Sequence, residues 1–132
     1  MQFIDKLAWI HIVDRKILST RNKGKSTYYI PGGKRDGEET DIEALVREIQ
    51  EELSVDLIEN QLSYLGTFEA QAHGKAEGLT VRMTCYEGPY AGKLTPASEI
   101  DEMVWFSHSD RSKSSDVDKK IFDWLKEQGR LD

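Results

Sequence analysis

A chain of 132 residues fits one domain, since domains usually run about 100 to 150 residues. Hydrophobic residues make up 38% and charged residues 32% of it, which predicts a globular protein with a strongly solvated surface and excludes a disordered chain. The formal net charge of −6 argues against a nucleic-acid polymer as partner, but a small anionic ligand carried with a metal ion remains compatible.

The composition also indicates the cellular compartment in which the protein is expected. The single cysteine, Cys85, cannot form an intramolecular disulfide, which favours a reduced cytoplasmic setting. The apolar run LAWIHIV spans seven residues, far short of the ~20 that cross a bilayer. Asp5 and Lys6 lie where a signal peptide would develop its apolar core. We therefore expect no membrane partner, and either a monomer or a homodimer.

Alternating or β-branched runs, separated by Gly, Asn, Asp or Pro, predict the strands. In chain order the runs are KLAWIHIVD (6–14), KILST (16–20), TYYI (27–30), LSYLGTFEAQA (62–72), LTVRMTCYEG (79–88) and MVWF (103–106). Strands that outnumber helices in one chain predict a mixed sheet covered by helices. The three tryptophans, Trp9, Trp105 and Trp124, are expected in the core.

Two helices are predicted between these strands. The first covers about 40 to 53, where Thr40 followed by Glu43 forms a capping box. The second covers about 116 to 128. The apolar stripes of the two helices are Ile42, Leu45, Val46, Ile49 and Leu53, and Val117, Ile121, Trp124 and Leu125. Ahead of the second helix, SHSDRSKSSD (107–116) has five serines in ten residues and predicts a flexible loop.

Three glutamates concentrate charge on the first helix. Counting 100° per residue from Ile42, Glu48, Glu51 and Glu52 lie at roughly 240°, 180° and 280°, on one flank of the apolar face. Taken alone, such a cluster is typical of a solvated helix face. Clustered carboxylates repel one another unless a cation neutralises them, and their hard oxygen ligands suit Mg²⁺ or Mn²⁺.

The glutamates stand at fixed distances from a glycine turn. The stretch follows the pattern G-x5-E-x7-R-E-U-x-E-E-x-x-U, where U is aliphatic. Its residues are Gly33, Glu39, Arg47, Glu48, Ile49, Glu51, Glu52 and Val55. This pattern resembles the Nudix box and matches eight of its nine defined positions. The resemblance implies the family's α/β/α sandwich around a mixed sheet, in a single domain over residues 1–132.

The ninth position of the box departs from the family pattern. A glycine is expected there, where the helix ends in a left-handed conformation, and this chain has Ser54. If Ser54 adopts that conformation, it should cost about 1 kcal/mol. The departure concerns the end of the helix and leaves the acidic residues untouched.

The resemblance also implies a site. Glu48, Glu51 and Glu52 are expected to hold divalent ions that bridge a diphosphate, with Glu52 also orienting or deprotonating the attacking water. The carbonyl of Gly32 is expected to complete the metal site, and Gly33 to lie against the substrate, although both could simply form a turn.

Residues that surround this site follow from the same resemblance. Arg47 and Glu39 are expected to pair and hold the loop against the helix, unless Arg47 is merely solvated. Glu99 is the preferred extra metal ligand over Glu102, with a solvated loop acid as the alternative. Arg21 is expected to contact phosphate, or else to be a surface residue at a strand end.

The predicted reaction is metal-dependent hydrolysis of a diphosphate linkage in a nucleotide. The favoured substrate is a nucleoside triphosphate, oxidised forms included, that yields monophosphate and pyrophosphate. ADP-ribose or another nucleotide sugar is the alternative, and a non-catalytic nucleotide sensor is a second one. Asp116 and Asp118 could read the base or merely cap the second helix. His11, His73 and His108 share no metal-ligand spacing.

Overall fold

A computed structural model describes residues 3–72 and 78–132 of the chain, so His73 lies outside the described residues. Within these ranges the strands are β1 Phe3–Trp9, β2 Ile12–Val13, β3 Lys16–Asn22, β4 Tyr28–Tyr29, β5 Gly32–Lys34, β6 Asp56–Leu57, β7 Ser63–Gln71, β8 Thr80–Glu87, β9 Tyr90–Ala91 and β10 Ile100–Phe106. The α-helices are α1 Asp41–Leu53 and α2 Asp116–Glu127. None of the helices described is long and apolar enough to span a membrane.

The strands form two larger sheets and one small one. The first sheet has the order β5-β1-β8-β7 and is mixed, because β1 runs parallel to β8 and antiparallel to β5. The second has the order β10-β3-β2, with β4 also paired to β3. The strands β6 and β9 form the two-stranded sheet.

The helices cover opposite faces of the sheet, as strand β1 shows. Leu7 and Trp9 pack into the cluster that includes the buried face of α1, whereas Ala8 and Ile10 pack into the cluster around α2. Side chains along a strand alternate between its two faces, so one strand supplies both cores. The predicted α/β/α sandwich around a mixed sheet is confirmed.

Strand β5 forms where the sequence predicts a glycine turn. Gly32 pairs with Ala8 and Gly33 with Leu7. Gly32 has a φ of +147°, and a Cβ built on it would lie 2.0 Å from the Leu7 carbonyl oxygen. A side chain at residue 32 is therefore excluded by both the backbone conformation and the contact with β1.

The predicted flexible loop at 107–116 is wrong. Residues His108–Lys113 form a 3₁₀ helix. His108 Nε2 lies 2.7 Å from one carboxylate oxygen of Asp123 on α2, and Arg111 donates to the other at 3.0 Å. Serine content suggested flexibility, but these charged contacts to the neighbouring helix order the segment.

The prediction that all three tryptophans are buried is confirmed for Trp9 and is wrong for Trp105. Trp9 is completely buried, and Trp124 is partly buried against the α2 cluster. Trp105 is 37% exposed, because it lies on β10, an edge strand of the second sheet. A sequence pattern does not show which strand becomes an edge.

Both ends of α1 follow the sequence. The Thr40 hydroxyl accepts the Glu43 N–H at 3.2 Å, and the Glu43 carboxylate accepts the Thr40 N–H at 2.9 Å, so the capping box is present. Ser54 ends the helix with φ 61° and ψ 27° and donates its N–H to the Gln50 carbonyl. The left-handed conformation expected at this box position is confirmed.

Because Ser54 is left-handed, Ser54→Gly should leave the free energy of unfolding unchanged or raise it by up to about 1 kcal/mol. The melting temperature should change in the same direction. Gln50→Gly is the matched control, because Gln50 is exposed inside the same helix and glycine there should cost about 1 kcal/mol. Thermal melts of both variants decide. If Ser54→Gly loses as much stability as Gln50→Gly, Ser54 does not pay the conformational cost that its left-handed backbone predicts.

Candidate active site

A cavity of about 740 Å³ brings together part of the predicted site. Its walls come from β1, β5, the C-terminal half of α1 and the segment between β3 and β4. Of the predicted site residues, those that line it are Gly32, Gly33, Glu48, Glu52 and Glu99. Residues from the glycine turn and from α1 therefore line the same cavity, together with Glu99, an acid from outside the box.

Glu52 is the most perturbed acid of this cavity. Burial raises the pKa of its carboxyl to about 8, and neighbouring Glu48 adds to the increase. The Gly32 N–H donates to the Glu52 carboxylate at 3.1 Å and partly opposes that shift. A carboxyl whose pKa lies near neutrality can accept and release a proton under ordinary conditions, as a general base requires.

Glu48 lies directly against the glycine strand. A Cβ at Gly33 would lie 2.4 Å from a Glu48 carboxylate oxygen, so the Glu48 side chain occupies the space that a larger residue would need. Arg47 donates to the other oxygen at 2.9 Å. Burial raises the pKa of Glu48 in spite of that contact. Two acids with raised pKa values thus share one wall.

The third box glutamate points elsewhere. Glu51 accepts from Arg47 at 2.8 Å, and its side chain is 48% exposed. Of the three box glutamates, Glu51 lies furthest from the apolar face on the helical wheel, at roughly 180°, which explains why it stays in solvent. In this structure, Glu51 neutralises Arg47 and does not line the cavity.

Arg47 ties the loop to the helix. It forms a two-point ion pair with Glu39, Nε to Oε2 at 2.8 Å and Nη2 to Oε1 at 3.0 Å, and it also donates to the Lys34 carbonyl at 3.1 Å. The bond to Glu39 is the main reason that the pKa of Arg47 is raised. The predicted pairing of Arg47 with Glu39 is therefore present.

The donor set of the cavity suits a hard divalent cation that keeps part of its own hydration shell. Within residues 3–72 and 78–132, no three His, Cys, Asp or Glu side chains form a ready-made metal site. Glu48 and Glu52 repel one another on one wall, which a cation would relieve. Mg²⁺ is usually bound by one or two carboxylates, with water and substrate phosphate oxygens completing its shell. The residues fit such an ion.

The structure separates Glu99 from Glu102. Glu99 lines the cavity. Glu102 accepts a hydrogen bond from the Tyr28 hydroxyl and lies 3.8 Å from Arg21. Arg21 in turn donates to Asp101 at 2.8 Å, so its guanidinium is engaged at the strand end and does not line the cavity. Neighbouring Asn22 lines the cavity instead.

A smaller cavity of about 240 Å³ adjoins the first and is lined in part by Asp116. Asp116 forms a 3.5 Å ion pair with Lys119. Asp118 is fully buried, accepts the Ile30 N–H at 3.0 Å and has its pKa raised to about 7 by burial. The N-cap of α2 is Ser115, so neither aspartate is the capping residue.

Sequence reasoning missed the amines of the site. Lys6, Lys25 and Lys34 line the large cavity, and Lys6 and Lys34 line the small one as well. The sequence of β1 could have indicated Lys6, because Lys6 shares a face of the strand with Ile4 and Ala8. A charged side chain at an inward-facing strand position is unusual and indicates either a buried partner or a ligand.

Comparison with known proteins agrees with this geometry. A profile of the NUDIX domain matches residues 7–125. The chain belongs to the Nudix family, and it is a Nudix pyrophosphohydrolase. Members of this family generally use divalent metal cations and act on small nucleotide substrates. No curated protein matches the sequence.

Several solved structures share the fold. The solution structure of the E. coli ORF135 protein is 24% identical, with a TM-score of 0.75 and coverage of 100% of this chain and 96% of that chain. A MutT NUDIX hydrolase from Burkholderia pseudomallei is 22% identical, with a TM-score of 0.75 and coverage of 92% and 96%. A bifunctional NMN adenylyltransferase/ADP ribose pyrophosphatase from Francisella tularensis is 19% identical, with a TM-score of 0.67 and coverage of 94% and 40%.

The raised pKa of Glu52 predicts a pH-dependent stability. The pKa rises from 4.5 to about 8 on folding, so the native state favours the neutral carboxyl. The stability that the neutral Glu52 carboxyl gives the native state is fully present below about pH 4.5 and is lost as the pH rises through about 8. Without divalent ions, Glu52→Gln should therefore gain melting temperature over the wild type as the pH increases from about 5 to about 8.5.

Mg²⁺ supplies the second half of this measurement. At the higher pH it should raise the melting temperature of the wild type more than that of Glu52→Gln, since a ligand that binds only the native state stabilises it. The raised pKa of Asp118 is common to both proteins and cancels in the comparison. A difference between the two proteins that is independent of both pH and Mg²⁺ would contradict the assignment.

Proposed function

We propose that the protein catalyses Mg²⁺-dependent hydrolysis of a diphosphate linkage in a nucleoside triphosphate, giving the monophosphate and pyrophosphate. Mn²⁺ would serve the same ligands. One observation carries the proposal: Glu52, Glu48 and three lysines line the same cavity. Carboxylates that can hold a cation and amines that can bind phosphate are the two groups that this reaction needs.

Each residue has a task in this scheme. Glu52 is placed to accept a proton from the attacking water, because its carboxylate lines the cavity and its position is fixed by the Gly32 N–H. Glu48 and Glu52 would hold the divalent ion, with Glu99, which lines the same cavity, as an additional ligand. When bound, the ion neutralises phosphate charge and polarises phosphorus. Arg47 and Glu39 position the helix against the glycine strand.

The three amines favour an extended phosphate chain. Lys6, Lys25 and Lys34 supply positive charge along the large cavity, which a triphosphate uses more fully than a single diphosphate bridge does. A nucleotide sugar such as ADP-ribose remains the second candidate. The Francisella neighbour, which is an ADP ribose pyrophosphatase in part, has the same fold. Oxidised nucleoside triphosphates fall within the first class.

The non-catalytic alternative fits the site less well. A protein that only senses nucleotides needs no buried carboxyl with a pKa near neutrality, and such a group destabilises the fold above that pH. The intact pair of Glu48 and Glu52 therefore favours an enzyme. We also propose that the extra metal ligand is Glu99 and not Glu102, because Glu102 is engaged by Tyr28.

A hydrolysis screen tests the reaction. Nucleoside triphosphates, oxidised nucleotides and ADP-ribose are incubated with the protein and Mg²⁺, and the released phosphates are identified. We expect pyrophosphate from the best substrate and no turnover without a divalent ion. Glu52→Gln should lower kcat by ~10² or more, because it removes the base at nearly constant volume.

Glu127→Gln is the control for that variant, since Glu127 is exposed at the end of α2, away from the cavity. Both variants should melt cooperatively. If Glu52→Gln keeps more than about a tenth of the wild-type rate, Glu52 is not the base, since loss of a general base usually costs ~10² or more.

Base selection is proposed to involve Asp116, on the edge of the small cavity. Asp116→Asn should change the kcat/KM ranking of purine and pyrimidine nucleotides by about tenfold, as expected when a hydrogen bond to a base is altered. The melting temperature should hardly change, because the side chain is half exposed and its contact with Lys119 is long. An unchanged ranking would remove Asp116 from the recognition site. Asp118 is fully buried and accepts the Ile30 N–H, so it is not used for this test.

A further inference from the structure

Arg35 directly follows the glycine strand, at the point where the backbone pairing of β5 with β1 ends. The last pair of that ladder is Lys6 with Lys34, so the next pair along it would join Asp5 to Arg35. The two side chains make this contact, with Arg35 Nε donating to the Asp5 carboxylate at 3.1 Å. An ion pair between side chains therefore continues the register of the two strands by one residue.

The remaining nitrogens of the Arg35 guanidinium reach the start of α1. Nη2 donates to the Asp41 carboxylate at 2.6 Å, and Nη1 donates to the Glu39 backbone carbonyl at 2.9 Å. One rigid, planar group thus joins β1, the loop after β5 and the first turn of α1. The Arg35 side chain is only 23% exposed, and its hydrogen bonds to Asp41 and Asp5 raise its pKa, so it stays charged.

Asp41 is held from a second direction as well. The Tyr86 hydroxyl on β8 donates to the other oxygen of its carboxylate at 2.9 Å. Burial and this hydrogen bond raise the pKa of Tyr86 to about 12, so the hydroxyl keeps its proton and remains a donor. Asp41 is the first residue of α1, where a carboxylate also interacts favourably with the helix dipole. The first turn of α1 is therefore attached to β1 through Arg35 and to β8 through Tyr86.

Glu39 connects this network to the proposed metal site. Arg35 holds the Glu39 backbone carbonyl, while Arg47 holds the Glu39 carboxylate by a two-point ion pair. Arg47 in turn donates to Glu48, which lines the large cavity. Arg35 itself lines neither cavity. An effect of Arg35 on the large cavity therefore passes through Glu39 and Arg47.

The loop between β5 and α1 depends on these hydrogen bonds, because Asp36, Gly37 and Glu38 are exposed and bury no apolar surface. Glu39 donates its N–H to the Asp36 carbonyl at 3.1 Å and accepts the Asp36 N–H on its carboxylate at 2.8 Å. Both contacts lie within the loop. Without the Arg35 guanidinium, the loop would keep them but lose its attachment to Asp5, so the Glu39 backbone would no longer be fixed relative to β1.

We propose that Arg35 is a positioning residue for the metal site. It fixes the Glu39 backbone, so that Glu39 holds Arg47 and Arg47 holds the Glu48 carboxylate in the orientation that binds a divalent ion. Arg35 touches neither the ion nor the substrate. This inference rests on the proposed function, since that function makes Glu48 a metal ligand.

Metal binding without substrate tests this role. Mn²⁺ is titrated into the whole protein, and the free ion is measured by its electron paramagnetic resonance signal. Arg35→Met should weaken Mn²⁺ binding about tenfold or more, because loss of a residue that orients a metal ligand typically costs roughly 10- to 100-fold in affinity. Arg35→Lys keeps the charge but cannot contact three acceptors at once, so it should remain closer to Arg35→Met than to the wild type.

Arg130→Met is the matched control. Arg130 forms a comparable ion pair with Glu87 at 2.6 Å, and neither residue lines a cavity, so this variant should bind Mn²⁺ as the wild type does. Melting curves set a temperature at which all variants are folded, so that a loss of stability is not mistaken for a loss of binding. Equal Mn²⁺ affinity of Arg35→Met and the wild type overturns the proposal.

A double variant shows whether Arg35 acts through Glu39. Glu39→Gln removes one anionic partner of Arg47 and should itself weaken Mn²⁺ binding. If Arg35 works by placing Glu39, adding Arg35→Met to Glu39→Gln should cause little further loss, since the two residues serve one contact. Two fold-changes that simply multiply would show that Arg35 acts independently of Glu39, and the proposed route would then be wrong.

Kinetics distinguish positioning of the metal site from stabilisation of the fold. With the best substrate, Arg35→Met should raise the Mg²⁺ concentration that gives half-maximal rate about tenfold and lower kcat, with little change in KM for the nucleotide. A residue that only stabilises the fold would lower the melting temperature and leave these kinetic quantities unchanged. If Arg35→Met weakens Mn²⁺ binding but the wild type hydrolyses no nucleotide, the positioning role stands and the proposed function is refuted instead.

Discussion

The site depends on the contact between the glycine strand β5 and strand β1. Gly32 lies so close to the Leu7 carbonyl that no side chain fits between the two backbones. This approach aligns the Gly32 N–H with the Glu52 carboxylate and leaves room at Gly33 for Glu48. It also places Lys34 opposite Lys6. One antiparallel pairing of three residues thus positions Glu48, Glu52, Lys6 and Lys34.

Charge is concentrated in this region at a cost to stability. Glu48 and Glu52 have raised pKa values because they are partly removed from water while close to one another. Arg47 offsets part of that repulsion, because it contacts Glu39, Glu48 and Glu51 together. Enzymes commonly keep such destabilising groups because the chemistry requires them. Two partly buried carboxylates so close together would not be expected on a helix whose role is only structural.

The two signs of charge are divided between the two kinds of element. The box acids come from α1, where residues four apart share one flank of the helix, and Glu99, from the segment ahead of β10, is the exception. The amines come from strands and from the segment between β3 and β4. The packing of α1 against β1 and β5 therefore brings carboxylates and lysines to one cavity, as the proposed binding of a cation and a phosphate chain requires.

The local elements and the family were predictable from the sequence. The capping box at Thr40, the helical spacing of α1 and the box pattern from Gly33 to Val55 depend on residues close together in the chain, so their spacing carries the information. The left-handed Ser54 belongs to the same category, because it follows from its place at the helix end. The mixed sheet with a helix on each face also followed from the pattern of strands and from the family resemblance.

Which of these residues meet depends on how the elements pack together. This packing directed Arg21 to Asp101, and it put Lys6 opposite Lys34. It also ordered the serine-rich segment through Asp123 and left Trp105 on an edge strand. These outcomes depend on strand pairing, edge position and contacts between residues that are far apart in the chain. Periodicity within one element shows which face a side chain occupies, and it does not show what packs against that face.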